Sequence, residues 1–89
     1  LDLGLLAFIE IAIDRTSVDA FDRFRAAMQR IAQVEECYMV AGGFDYLLKV
    51  RTGDIAEYRR VLGERISSLP HVASTSTFVV MEAVKEAGA

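Results

Sequence analysis

The sequence predicts an α+β domain with the element order β-α-β-β-α-β. Two observations lead to this prediction. Strand-forming residues, mostly apolar, fill stretches near both ends of the chain and on both sides of a central Gly-Gly pair. In the two segments between these stretches, apolar residues recur every three or four positions, which is typical of amphipathic helices. With 89 residues, the chain is long enough for one domain, residues 1–89.

The first strand is predicted over Leu5–Ile13. Its residues are apolar except for Glu10, so we expect both of its faces to be covered. The period then changes, and a helix is predicted from Ser17, with Thr16 or Ser17 as its N-cap. The apolar face of this helix consists of Phe21, Phe24, Met28 and Ile31.

The centre of the chain, Cys37–Arg51, predicts two strands joined by a tight turn at Gly42-Gly43. Glycine enters positive φ without a steric penalty, so a Gly-Gly pair between two strand-like runs is a strong hairpin signal. The bare backbone there also leaves room for a ligand. The second of these strands carries Tyr46, Leu48 and Val50 on one face, and Asp45, Leu47, Lys49 and Arg51 on the other.

A second helix is predicted from Asp54, which forms with Glu57 the sequence pattern of a capping box. Pro70 cannot continue a helix, so this helix should end by Ser68. The segment Val72–Glu82 is rich in Thr, Val and Phe and predicts the last strand. The result is the ferredoxin-like arrangement, a four-stranded antiparallel sheet with two helices on one face.

The composition predicts an oligomer. Apolar residues make up 53% of the chain, above the roughly 45–50% of average globular domains, and a chain this short buries only a modest core. Because two helices can cover only one face of the sheet, we expect the other face to pack against the same face of a second copy. The net charge of -3 argues against nucleic-acid binding by this segment.

Catalytic and metal-binding chemistry has little support in the sequence. His71 is the sole histidine and has no partner at metal-ligand spacing, and the acidic residues form no convincing acid-base pair. Cys37 is the sole cysteine, which excludes an intrachain disulfide and indicates a small buried hydrophobe in a cytoplasmic protein. The apolar stretch Leu3–Ile13 is shorter than the ~20 residues that a membrane helix needs. We therefore expect no enzyme activity, no cofactor and no membrane contact.

The Gly-Gly turn offers polar groups that suit an amino acid. The backbone N–H groups of Gly42 and Gly43 would hold its α-carboxylate, and the Asp45 carboxylate its α-ammonium. The hydroxyls of Ser74–Thr77 add further polar groups, and an aliphatic side chain would contact Met39, Phe78 or Val79. The same residues fit a plain hairpin turn beside a Ser/Thr-rich strand, so both interpretations stay open.

Four runs of the chain carry a family resemblance: Leu3-Gly4-Leu5, Glu36–Lys49 with its Gly-x-Phe-Asp-Tyr-Leu-Leu-Lys motif, Leu69–Val72, and Thr75–Glu82. They resemble the C-terminal effector-binding domain of the Lrp/AsnC family, the feast/famine transcription regulators. The resemblance implies an upstream helix-turn-helix domain, absent here, that alone contacts DNA. It also implies sheet-to-sheet homodimers, in the manner of a dimeric α+β barrel, that assemble into octamers or similar rings. The start at Leu1 rather than Met fits a truncated chain, although the family includes stand-alone modules.

The resemblance further implies that a small amino acid effector binds between dimers, near the hairpin loop and the last strand. Carried over motif by motif, the candidate effector-binding residues are Met39, Gly42, Gly43, Asp45, Ile55, Thr77, Phe78, Val79 and Val80. Two departures from the family pattern lie beside this site: Ala41 stands where many members have Ser or Thr, and Gly43 where many have Asp. His71, where Gly is common, changes a turn.

The function that we predict is therefore an amino-acid-sensing and oligomerisation domain of a transcriptional regulator. Branched-chain or other small amino acids are the expected ligands. One alternative is a small enzyme of the dimeric α+β barrel type, which would need a polar cavity between sheet and helices. We expect that space to be filled by Phe21, Phe24, Tyr58 and Leu62. The other alternative is a purely structural oligomerisation module whose turn binds nothing.

Overall fold

The computed structural model describes residues 4–88. It contains one antiparallel sheet of four strands in the order β2-β3-β1-β4. The strands are β1 (Leu5–Ile13), β2 (Val34–Met39), β3 (Tyr46–Thr52) and β4 (Val72–Val79). The helices are α1 (Ala20–Met28) and α2 (Ile55–Arg60), and α2 continues into a π-helical segment (Val61–Ile66). The predicted α+β order is confirmed, and none of the helices within residues 4–88 is long and apolar enough to span a membrane.

The core lies on one face of the sheet. Alternate residues of the two central strands point to that face and are buried, among them Ile9, Ile11, Leu48 and Val50. Phe24 of α1, together with Val61 and Ile66 of the π-helical segment, packs against them, so both helices cover the same face. Of the four residues predicted to fill the space between sheet and helices, Phe24 is buried and Phe21 and Leu62 pack against the core, whereas Tyr58 does not belong to it.

The opposite face of the sheet, called here the outer face, is only half-covered in the single chain. Leu6, Phe8, Glu10 and Ala12 of β1 alternate with the buried residues and stay partly exposed. The expectation that β1 is covered on both faces is therefore not met by the chain alone.

Two predicted boundaries are wrong. Helix α1 begins at Ala20 rather than near Ser17, and the residue before it, Asp19, makes no side-chain bond to the helix backbone. The Asp19 carboxylate instead accepts hydrogen bonds from the Ser17 hydroxyl and from Arg23 Nε, which lower its pKa to about 2. Strand β4 ends at Val79, opposite Ala7 of β1, rather than at Glu82, and the Val80 N–H still donates to the Leu6 carbonyl beyond that end.

The predicted capping at the start of α2 is confirmed. The Asp54 side chain accepts a hydrogen bond from the Glu57 N–H (2.8 Å), and the Glu57 carboxylate accepts one from the Gly53 N–H. The Gly53 bond is the main reason why the pKa of Glu57 is lowered. This cap fixes Ile55 as the first helical residue, with its side chain exposed rather than in the core. Val61 and Ile66, five positions apart, both reach the core because that segment is π-helical.

His71, in the turn before β4, is left-handed with φ of 62°. A side chain with a Cβ atom is strained in this region, whereas glycine is not. We predict that His71→Gly raises the free energy of unfolding in urea by about 0.5–1 kcal/mol, after the larger entropy of glycine in the unfolded chain is subtracted. His71→Ala is the control, because it removes the imidazole but keeps Cβ. An equal gain in both variants would show that backbone strain is not the cause.

Candidate effector site

Asp45 ties the β2–β3 connection to the end of β1. Its N–H donates to the Ile11 carbonyl (2.9 Å), and its carboxylate accepts hydrogen bonds from the Ile13 N–H (2.7 Å) and from the Arg15 guanidinium. The side chain is only 12% exposed. Alternation had predicted that Asp45 lies on the outer face of β3. Asp45 instead precedes that strand and is buried. Its carboxylate holds the loop in place, a different task from the predicted one of binding an α-ammonium group.

These bonds also explain why the prediction of a tight Gly-Gly turn is wrong. Strands β2 and β3 are separated by residues 40–45, called here the glycine loop, and the Val40 N–H donates to the Asp45 carbonyl (3.0 Å) at its base. Because Asp45 turns toward β1, the chain needs a wider connection than two glycines. Gly42 and Gly43 lie at its exposed tip, where an added Cβ would meet no atom within 4 Å. The open space expected beside the glycines is therefore present.

The last-strand candidates lie at the other end of the sheet. Val79 is opposite Ala7 of β1, and the Val80 N–H donates to the Leu6 carbonyl (2.9 Å). A cavity of about 550 Å³ opens at this end. Its lining includes Leu6, Arg51, Asp54, Val79, Val80 and Glu82. Ile55 follows Asp54 directly, so it belongs to this end as well.

The candidate residues therefore form two groups, not one. Met39, Gly42, Gly43 and Asp45 make up the loop group, whereas Ile55, Phe78, Val79 and Val80 make up the strand-end group. Asp45 bonds to Ile11 and Val80 bonds to Leu6, five residues apart on β1, which corresponds to about 17 Å at a rise of ~3.3 Å per residue. Thr77, opposite Ile9, lies between them. One copy of the chain does not bring the two groups into a single pocket.

The apolar members of both groups are exposed. The side chains concerned are Met39 (58% exposed), Ile55 (58%), Phe78 (55%) and Val79 (43%). Met39 is paired with Tyr46 and Val79 with Ala7, whose side chains face the helices, so Met39 and Val79 do not belong to the outer face. Apolar side chains left this exposed are typical of a binding surface.

Two arginines near the loop were missed by sequence reasoning. Arg15 bonds to Asp45, and Arg25 bonds to the Tyr46 hydroxyl and the Met39 sulfur. The partners are 30, 21 and 14 positions apart in the sequence, and no spacing pattern connects them. The one usable signal was the Asp45 carboxylate beside a turn. Once the strands pair, a carboxylate at this position needs a cationic partner.

Other reactive groups do not converge on this site. Within residues 4–88, no group of three or more His, Cys, Asp or Glu side chains is arranged to hold a metal ion. Cys37 is partly buried, and that burial raises the pKa of its thiol. A thiol with a raised pKa is a poorer nucleophile, so Cys37 packs as the hydrophobe that its neighbours predicted.

Known proteins resemble this chain in sequence and in fold. A family model described as the Lrp/AsnC ligand binding domain matches residues 6–89. The chain is 57% identical over 86 residues to a proline dehydrogenase transcriptional activator of Rhodobacter capsulatus, covering 94% of this chain and 56% of that protein. It is 49% identical over 86 residues to the leucine-responsive regulatory protein of Salmonella typhimurium, covering 97% of this chain and 52% of that protein. The chain thus spans about half the length of these relatives.

The fold is also similar to that of a transcriptional regulator of Neisseria meningitidis solved in complex with L-Met. The TM-score is 0.85 at 28% sequence identity, and the match covers 94% of this chain and 54% of the other. The curated relatives are named as transcriptional regulators and not as enzymes. The resemblance noted in the sequence is confirmed: the chain belongs to the Lrp/AsnC family, in which it corresponds to the ligand-binding domain.

Proposed function

We propose that this chain senses an amino acid and assembles the subunits of a transcriptional regulator. In this proposal a ligand bound between dimers changes the assembly, and thereby the DNA binding of a separate helix-turn-helix domain inside the cell. The observation that carries the proposal is the division of the candidate residues between two distant ends of the sheet. A site that needs both groups must be completed by a second chain.

The outer face of the sheet is the proposed dimer interface. Its apolar residues from all four strands are Leu6, Phe8, Tyr38, Leu47 and Phe78. Lys49 and Arg51 on the same face have an acidic neighbour in Glu35, whose carboxylate is 3.0 Å from Arg51 Nε and 3.8 Å from Lys49 Nζ. A largely apolar face, on which Lys49 and Arg51 already have a carboxylate beside them, suits a two-fold partner that presents the same surface.

A second interface would join these dimers. The exposed apolar residues at the sheet ends, Met39 at one end and Ile55 with Val79 at the other, lie off the outer face and remain uncovered in a sheet-to-sheet dimer. If the loop of one chain meets the strand end of another, both sets are buried together. Two kinds of contact per chain are what a ring of dimers requires. An octamer is one such ring.

The two groups offer complementary chemistry to an amino acid. The exposed N–H groups of Gly42 and Gly43 suit the α-carboxylate. The rim of the cavity at the strand end carries the carboxylates of Glu82 and Glu86, which suit the α-ammonium. Ile55 would contact the aliphatic side chain. This assignment gives the ammonium group a partner other than Asp45, whose carboxylate is already hydrogen-bonded in the loop.

L-Proline is the first ligand to test. A relative at 57% identity is named as an activator of proline dehydrogenase, and an activator of that gene would respond to the enzyme's substrate. L-Leucine and L-methionine, named with other matched proteins, are the natural comparators.

The dimer interface is tested by Phe8→Glu. Phe8 lies opposite Phe78 and Lys49 on the outer face, and a carboxylate there would lose its water in the interface at a cost that pairing with Lys49 does not repay. We predict that light scattering finds the mass of a single chain, 9.8 kDa, with an unchanged circular dichroism spectrum. Val18→Glu is the control, because Val18 is fully exposed away from the sheet. A Phe8→Glu variant that keeps the mass of the wild type would exclude this interface.

The effector response is tested by titrating each of the twenty amino acids while the assembly mass is measured by light scattering. We predict that L-proline shifts the mass, because a ligand moves an equilibrium between assemblies that bind it differently. Ile55→Asp should raise the concentration for half response at least about tenfold, since it places a charge where an apolar contact is proposed. Val18→Asp should respond like the wild type. A mass that no amino acid changes would instead favour a structural module.

A further inference from the structure

Two arginines hold the two sides of the glycine loop. Arg15 follows β1 and bonds to Asp45, at the end of the loop. Arg25 lies on α1 and bonds to Met39 and Tyr46, the residues that flank the loop on either side. Both guanidinium groups therefore connect the loop to the helical side of the domain.

Arg15 joins the loop to the start of α1. Its guanidinium donates to Asp45 and lies over the Phe21 ring, 5.2 Å from the ring centroid. The same Asp45 carboxylate accepts the Ile13 N–H, so Arg15 helps to orient a group that the strand end also needs. The Arg15 side chain is 66% exposed, which limits the strength of this ion pair in water.

Arg25 joins both flanks of the loop to the last turn of α1. Its Nε donates to the Tyr46 hydroxyl (2.7 Å), its Nη2 donates to the Met39 sulfur (3.3 Å), and its guanidinium lies 5.7 Å from the Tyr46 ring centroid. Met39 and Tyr46 are the last residue pair of β2 and β3 before the loop. Tyr46 is in turn stacked on Phe24, with ring centroids 4.8 Å apart. The loop base is thus attached to a rigid part of the core.

We propose that Arg15 and Arg25 are positioning residues of the effector site. They hold the glycine loop against α1, so that the N–H groups of Gly42 and Gly43 face the ligand carboxylate, and they do not contact the ligand themselves. A free loop would lose conformational entropy when it binds, and a loop already held in place loses less. The proposal rests on the proposed function for the identity of its ligand. Its structural half, that the two arginines hold the loop, concerns the ligand-free chain and can be tested without a ligand.

The structural half is tested by amide hydrogen exchange without ligand. Arg15→Gln and Arg25→Gln should each make the amides of Val40 and Asp45 exchange about threefold faster, because these two N–H groups are hydrogen-bonded at the base of the loop and are protected only while it is held in place. Arg23→Gln is a matched control: it also removes an arginine ion pair, with Asp19, and its side chain is 65% exposed. Loop exchange in the Arg15 and Arg25 variants equal to that of the control would overturn the proposal.

The functional half, that the held loop binds the ligand carboxylate, is tested by calorimetry. The affinity for L-proline is compared with the affinity for L-prolinamide, which lacks the carboxylate. The wild type should prefer L-proline at least about tenfold, and Arg15→Gln and Arg25→Gln should lose most of that preference. General destabilisation would weaken both ligands equally. Arg15→Lys keeps the charge beside Asp45 and should recover part of the preference.

The two halves separate the possible failures. If Arg15→Gln loses the preference while loop exchange is unchanged, Arg15 contacts the carboxylate directly and the positioning role is wrong. If Arg15→Gln and Arg25→Gln keep the full preference for L-proline, neither arginine positions the loop for the ligand carboxylate and the proposal is wrong. If the wild type binds neither L-proline nor any other amino acid, the proposed function fails, and hydrogen exchange still decides whether the arginines hold the loop.

Discussion

The structure depends on one constraint: two helices can cover only one face of a four-stranded sheet. The chain covers that face completely: Ile9, Ile11, Leu48 and Phe24 are buried. It leaves apolar side chains on the outer face and at both ends of the sheet. Burying apolar surface stabilises a structure by about 25 cal/mol per Å². Any arrangement that removes this surface from water is therefore favoured. A second copy that carries the same surfaces is the simplest such arrangement, and the proposed assembly follows from it.

The division of the candidate residues ties ligand binding to assembly. If the loop group and the strand-end group must come from different chains, a ligand that touches both binds only the associated state. Such a ligand stabilises the assembly by mass action, without any conformational change in the chain. A ligand that fits only one group would compete with the neighbouring chain and weaken the assembly. The direction of the response would then depend on how far the ligand reaches across the contact.

The elements defined by periodicity were predictable from the sequence. The alternation in β3 predicted which of its faces is buried, and the Asp54–Glu57 pattern predicted the start of α2. The errors arose where distant contacts override local patterns. Asp45 precedes a strand but is drawn to Ile13, which widens the turn. The end of β4 at Val79 is not marked in the local pattern, which stays rich in strand-forming residues beyond that point.

The candidate site was less predictable than the fold. The resemblance supplied residues that are separated by the length of the sheet in one chain, and only strand register reveals that separation. Arg15 and Arg25 were absent from the prediction because their partners are more than ten positions away. The carboxylate of Asp45 was predicted to face a ligand, since a sequence shows the charge but not the N–H groups that surround it.

The central claim, that each site is shared between chains, is tested most directly by co-expressing two defective variants and counting bound L-proline per chain by equilibrium dialysis. Gly43→Pro removes one proposed N–H donor of the loop group, and Ile55→Asp damages the strand-end group. At an L-proline concentration near the wild-type half response, each variant alone should fill less than about a tenth of its sites. In a random mixture of both, about a quarter of the sites should combine an intact loop with an intact strand end and bind normally. A mixture that binds no better than either variant alone would mean that each site lies within one chain, and would contradict the account.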